Sequence, residues 1–313
     1  MLTVFLKVLM IFLMVGVGFA ANRTGVLPKE SNKYLVDLLL VITTPCMVLG
    51  SMAENRLSDD VIWTTLQVVI GSFVFFAVVW VLAGFVVRLM RYEPAEDRGV
   101  MICIICGINT GFMGFPVTKA IFGSEFLFYM VMENIVLGVY LYSISIIQLN
   151  QGSYSRVDWK VVLASLCNMC MLASLIGVIL MILDIRLPAF ALDFFNTVGN
   201  ATVPVSMIVV GVQLGTASIR KMLKNYKLMI ASLVNVVVVP VLTFLAVNWL
   251  PITWKAKVIL ILAAAFPCAV VLTAMAIRER KNATLMAEGV ALTTLLSVVT
   301  LPVCVMFLMW YYF

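Results

Sequence analysis

Residues 107–116 read Gly107-Ile108-Asn109-Thr110-Gly111-Phe112-Met113-Gly114-Phe115-Pro116, in the middle of an apolar run near 99–122. Three glycines and a proline in ten residues do not hold a helix, because proline removes a backbone donor and glycine gains too little on ordering. In hydrocarbon the freed N–H and C=O groups meet no water, so irregular backbone at midspan is tolerated only in protein or along a cavity. Pro116 suits the first position of a new half-helix, whose amides and positive dipole end favour an anion. A second run, Leu262-Ala263-Ala264-Ala265-Phe266-Pro267, repeats the break.

The rest of the chain makes both runs parts of membrane spans. Of 313 residues 64% are apolar and 12% charged. A span needs roughly 20 mostly apolar residues, and no stretch between apolar runs is long enough for a water-soluble core. Ten spans are expected, near 4–21, 34–52, 61–89, 99–122, 126–148, 160–183, 193–216, 228–249, 257–277 and 284–311. The fold class is therefore an all-α membrane protein. A soluble enzyme, a coiled coil and a disulfide-stapled secreted fold are excluded.

Charge sets the expected direction. Of 21 Lys and Arg, fifteen fall in the loops after spans 1, 3, 5, 7 and 9, among them Lys29, Lys33, Arg156, Lys160, Arg220, Lys221 and Lys224. Five lie on the other side, and Lys7 sits at the membrane edge. Cytoplasmic loops carry the excess, so a multi-pass protein of the cell membrane with both termini extracytoplasmic is expected. The net charge of +6 is spread over short loops and forms no nucleic-acid surface. Histidine is absent, which removes Ser-His, Cys-His and histidine-metal chemistry. Cys103/Cys106 and Cys167/Cys170 have CxxC spacing but lie in apolar sequence without polar orienting groups, so they read as small buried residues. No cofactor or metal is expected.

The two halves resemble each other. Pro28 and Pro45 align with Pro188 and Pro204, Gly114-Phe115-Pro116 with Ala265-Phe266-Pro267, and Glu133 with Glu288, at offsets of 151 to 160. Each unit, 1–150 and 151–313, holds five spans, so the second copy enters the membrane from the opposite face and the repeat is inverted, as in many secondary transporters. The first span then pairs with the sixth, which argues for a retained helix rather than a signal peptide. The spans carrying the two breaks run in opposite directions, and their half-helix N-termini meet near the bilayer centre, a geometry suited to a carboxylate.

The segments NTGFMGFP (109–116), ATVPVSMIVVGVQLG (201–215) and TTLLSVVTLPV (293–303) resemble the auxin efflux carrier family, which includes plant auxin carriers and bacterial malate or malonate permeases. The likeness covers nearly the whole chain and is to the compact bacterial members, because no long loop separates spans 5 and 6. It implies a scaffold of spans 1, 2, 6 and 7, a transport unit of spans 3–5 and 8–10 with two crossing helices broken at proline, and carriers that pair as homodimers. It also implies that Asn109 helps hold the substrate carboxylate. One departure is plain: no Asn or Gln flanks Pro267.

Other candidates follow from polarity within the spans. Asn109 is an amide donor near midspan, or else a contact between helices. Thr110, Gly111, Gly114, Pro116 and Pro267 would expose backbone at the breaks. Thr44, Pro45, Thr202 and Pro204 would put hydroxyls and loosened backbone on the scaffold wall, or are simple kinks. Asn196 and Asn200, four apart on one face, would cost free energy against lipid and so face protein or the pathway. Lys119 either attracts an anion or snorkels to the outer interface. Glu133 and Glu288 are candidates for proton or ion coupling, or first-turn acids favoured by the helix dipole. The expected function is secondary transport of a small organic anion, a mono- or dicarboxylate of malate, malonate or auxin type, in contact with membrane lipid. The rivals are a sodium-coupled symporter of the bile-acid type, whose breaks would need more carboxylates and amides, a channel or receptor, and an intramembrane enzyme, for which no acid pair or HExxH is present.

Overall fold

The computed structural model describes residues 2–150, 168–216 and 222–313, and all regular structure among them is helical. Cys167, the charged residues Arg156, Lys160, Arg220 and Lys221, and the first part of the expected sixth span lie outside the described residues. In chain order the helices are α1 (Leu2–Arg23), α2 (Ser31–Glu54), α3 (Asp59–Leu89), α4 (Arg98–Cys106), α5 (Phe115–Phe122), α6 (Ser124–Tyr142) and α7 (Ile144–Leu149). They continue with α8 (Met169–Ile182), α9 (Ala189–Asn200), α10 (Thr202–Thr216), α11 (Tyr226–Asn248), α12 (Trp254–Ala264), α13 (Val271–Arg278) and α14 (Ala283–Tyr312).

Eight stretches among the described residues are long and apolar enough to cross a membrane: α1, α2, α3, Ala95–Phe122, Ser124–Leu149, Ala189–Thr216, α11 and α14. Of the sixth expected span only α8 is described, with 14 residues. The ninth is divided into α12 and α13, of 11 and 8 residues, neither of which could cross alone.

Prolines shape several helices without ending them. Leu39–Thr43, Thr110–Gly114 and Val234–Val238 are π-helical, and each is followed two residues later by Pro45, Pro116 or Pro240. A proline ring collides with the carbonyl four residues back. Widening the preceding turn, so that Thr44, Phe115 and Val239 bond to the carbonyl five residues back, moves that oxygen aside while the chain stays helical.

Packing divides the helices into two groups. α1 runs along α10, and α8 and α9 cross the second half of α2. The α1–α10 crossing is backbone against backbone: a Cβ on Gly211 would lie 2.1 Å from the Val15 carbonyl oxygen and one on Gly18 2.2 Å from that of Ile208. Without a hydrophobic drive between helices in lipid, such small residues let backbones approach. In the second group α3 packs on α4 and α6, the second half of α11 on α12, α4 on α14, and α12 on α6. α12 is buried almost throughout, so it forms the centre of this group. The apolar side chains left exposed on α1, α3 and α11, such as Leu13, Val17, Val81, Phe85 and Val241, suit a lipid surface. Trp254, Phe126 and Phe313 cluster where α12 and α6 begin and the chain ends after α14, with Trp310 and Tyr311 in the last turn of α14, as an interfacial belt would.

Candidate functional site

The first break is earlier than Pro116. α4 stops at Cys106, residues 107–109 are not helical, and the chain resumes as the π turn leading into α5, of which Pro116 is the second residue. The interruption is therefore made by Gly107 and Asn109, and the proline is absorbed by the π turn. Asn109 caps the new helix, its Oδ1 accepting from the Phe112 N–H at 3.2 Å. At the other side of the gap the Ile105 carbonyl, freed by the end of α4, accepts from Nδ2 of Asn235 on α11 at 2.9 Å.

The second break, residues 265–270, contains Pro267 and lies between α12 and α13. Here the Cys268 N–H donates to Oγ1 of Thr293 on α14 at 3.1 Å. The two breaks touch. The Cys268 thiol lies 3.9 Å from the Cys103 carbonyl, and the Phe266 ring packs on Gly114. Buried backbone that leaves its own ladder needs partners, and these come from side chains of neighbouring helices.

A cavity of about 560 Å³ opens where the breaks meet, within the range of small-molecule sites. The first break gives it Ile108, Asn109, Gly111, Phe112 and Phe115, and the second gives Ala269 and Val270 with Val271 and Ala274 of α13. Val36, Leu40 and Thr44 of α2, Asn134 and Leu137 of α6, and residues at the start of α8 complete it. Among the described residues none of the lining side chains is charged. The polar groups are Thr44, Asn109, Asn134, Tyr142 and Asn168, whereas the Leu272 and Thr273 N–H groups at the start of α13 already donate to the Ala269 and Val270 carbonyls. Oδ1 of Asn109 is used in the cap, so its NH2 is the group left for a ligand.

Two polar regions lie at the two ends of α2. Beside the cavity, sharing Val36 and Val270, lies a wider space lined by Lys29, Glu30, Lys33 and Asp37 at the start of α2. Glu54 at the far end of α2 closes a polar cluster. Its Oε1 accepts from Asn196 of α9 at 2.8 Å, and its Oε2 pairs with Lys119 of α5 at 3.4 Å. Lys119 also donates to the Ser124 hydroxyl. Ser51 and Asn55 donate to the Ser124 carbonyl, at 3.0 and 3.1 Å. This cluster ties α2 and α9 to the turn between α5 and α6.

The expected site residues divide accordingly. Asn109, Gly111 and Thr44 line the cavity. Thr110 is fully buried and accepts from Nδ2 of Asn134 at 2.9 Å. Gly114, Pro116, Pro45 and Pro267 are buried behind the lining. Thr202, buried, and Pro204, half-buried, lie outside it, as do Asn196, held by Glu54, and Asn200, which is exposed. Lys119 is an ion-pair partner, not a cavity residue. Glu133 and Glu288 are both beyond the first turn of their helices. Glu133 is 1% exposed and Glu288 half-buried. Three residues escaped the sequence reading: Asn134, which lines the cavity, and Asn235 and Thr293, which hold the breaks. For the two asparagines the signal was present, a lone amide inside an apolar run.

The chain matches the family model described as membrane transport protein over residues 3–305. It is similar to an uncharacterized transporter of Methanocaldococcus jannaschii, 24% identical over 306 residues that make up 94% of this chain and 95% of that protein. It is also similar to an uncharacterized transporter of Methanothermobacter thermautotrophicus, 24% identical over 310 residues, 94% and 95% of the two chains. A match over nearly the full length, on a chain whose apolar helices are of membrane-crossing length, makes this protein a member of the membrane transport protein family, the auxin efflux carriers, and a membrane transporter.

Proposed function

We propose that the protein is a secondary transporter of a small organic anion and works by alternating access at the cavity between the two breaks. The observation that carries this reading is that one cavity is lined by interrupted backbone from both halves of the chain, with the Asn109 side chain among its polar groups. Uncharged donors beside an apolar wall fit one carboxylate on an apolar body better than a compact dicarboxylate, whose second charge would meet no partner among the described lining residues.

Helix pairing supports a ten-span inverted repeat, with α8 in the sixth span and α12 and α13 as the two parts of the ninth. Exchanging the halves turns the α1–α10 contact into that of α8 with the second half of α2, the α3–α4 contact into that of α11 with α12, and the α4–α14 contact into that of α12 with α6. The scaffold is then α1, α2 and α8 to α10, and the moving unit is the remainder. The loop charges favour a cell-membrane protein with both termini outside. In that orientation this conformation is open to the cytoplasm through the space beside Lys29 and closed outside by the Glu54–Lys119 cluster. Purified protein in liposomes tests the reading through exchange of radiolabelled p-aminohippurate and malonate. Saturable counterflow, stronger for the aromatic monocarboxylate, is expected. Non-saturable flux without exchange would mean a channel, and no flux of either would reject carboxylate transport.

A further inference from the structure

Glu133 is the acid that the cavity and its supports leave unexplained. It lies in the third turn of α6, nine residues after Ser124, or roughly 14 Å along the helix at 1.5 Å per residue. It is 1% exposed, and neither carboxylate oxygen has a hydrogen-bond partner of ordinary geometry. The polar group beside it is the Thr110 hydroxyl. That hydroxyl accepts from Asn134 at 2.9 Å, which leaves its own proton free to turn toward Glu133. Glu133 thus stands one residue from a cavity-lining amide and, across Thr110, one residue from Asn109.

Among the described residues, no charge on the packed elements answers it. α3 carries Asp59, Asp60 and Arg88 only near its ends. Lys119 of α5 and Glu54 of α2 pair with each other, and Lys255 of α12 pairs with Glu125 of α6 itself. Lys257 of α12 donates to the Asn248 carbonyl. Tyr129 bonds to Glu125 and Tyr140 to Gln148 of α7. Cys46 of α2 is half-buried and uncharged in this setting. An ionised carboxylate without a counter-ion costs several kcal/mol in such surroundings, and burial therefore favours the neutral acid over the charged form.

We propose that Glu133 is a proton-binding site loaded together with the transported anion, so that one proton crosses with each carboxylate. The proposal rests on the carboxylate-transport reading above. An anion held at Asn109 would face an ionised Glu133 across a single residue, and at low dielectric that repulsion is large. Anion binding therefore favours the protonated acid, and by linkage protonation of Glu133 favours the anion. The step moves one proton from water to the carboxylate on one side and back to water on the other, with no bond formed to the substrate. A monocarboxylate then crosses without net charge.

Two measurements test this on the full chain in liposomes. Infrared spectra of the unmodified protein should contain a buried carboxylic-acid C=O band at neutral pH, absent from Glu133→Gln. No such band, or one unchanged in the variant, would overturn the proposal. In transport, protein-containing vesicles with an alkaline lumen should accumulate p-aminohippurate above protein-free vesicles, up to about tenfold per pH unit for one-to-one coupling. Glu133→Gln should lose this accumulation and keep counterflow. Accumulation indifferent to the pH gradient in the unmodified protein, or still driven by it in the variant, rejects proton coupling while leaving carboxylate transport standing. Absence of counterflow in the unmodified protein rejects the transport reading and the coupling with it.

Discussion

Asn109 performs two tasks that substitution can separate. Its Oδ1 caps the Phe112 N–H at 3.2 Å, and its NH2 is the group that the proposed function assigns to the ligand. Asn109→Ala removes both. Loss of the cap should lower stability by about 0.5–2 kcal/mol. Loss of a hydrogen bond to a charged ligand should weaken binding by about 1.5–3 kcal/mol, roughly ten- to hundredfold in Kd. Asn109→Asp keeps an oxygen at the cap, where a negative charge is favoured by the helix dipole, and replaces the donor by a charge of the same sign as the ligand. It should therefore fold as well as the unmodified protein and bind p-aminohippurate no better than the alanine variant. Thermal unfolding of purified protein gives the first quantity, and the concentration dependence of counterflow gives the second. The reasoning is refuted if the aspartate variant binds normally, or if the alanine variant loses stability with unchanged apparent affinity, which would make Asn109 a cap and nothing more.

Asn235→Leu should leave the Ile105 carbonyl without its donor and lower stability by about 1–3 kcal/mol; an unchanged unfolding midpoint would show that the break is held open by other groups. Cysteines placed at Ser51 and Ser124, which join α2 to the α5–α6 turn, should on oxidation lock that end shut and stop uptake until a reductant is added. Uptake that continues with the disulfide formed would mean that this cluster does not open during transport. A cysteine introduced beside Lys224 should be shielded from impermeant reagents in intact cells, and one added after Phe313 should be labelled. The reverse pattern would overturn the orientation derived from loop charge.

Hydropathy carried the fold a long way, because a membrane span is the one element whose length and composition are both fixed by its solvent. At the second break Pro267 was the mark: Ala265, Phe266, Cys268 and Val270 are as apolar as the helices around them, so composition alone carries no sign of where α12 ends and α13 begins. The glycine-rich run at 107–116 did betray an interruption, but the local rule assigned it to the wrong residue. A proline is compatible with continued helix once the preceding turn widens, and three of the chain's prolines are handled in this way. What cannot be absorbed is Gly107 and Asn109 together, one without a side chain to favour helix and the other capping the next turn.

The site was legible where a residue's role is local, and obscure where a neighbouring helix decides it. Asn109 caps the turn it begins, and its place at the cavity follows from the break. Asn196 has the polarity of a pathway residue, but Glu54, distant in sequence, takes its amide. The two glutamates carry this further. The repeat makes Glu133 and Glu288 equivalent, and neither composition nor spacing distinguishes them. Packing does: Glu133 is enclosed between the first break and the helices around α6, whereas Glu288 remains half-buried in the vicinity of Tyr92. The same asymmetry appears at the breaks, where Asn109 has no amide counterpart beside Pro267. Four of the five polar lining side chains and the buried acid therefore lie in the first half of the chain, and the second half contributes Asn168 and the apolar wall at the second break.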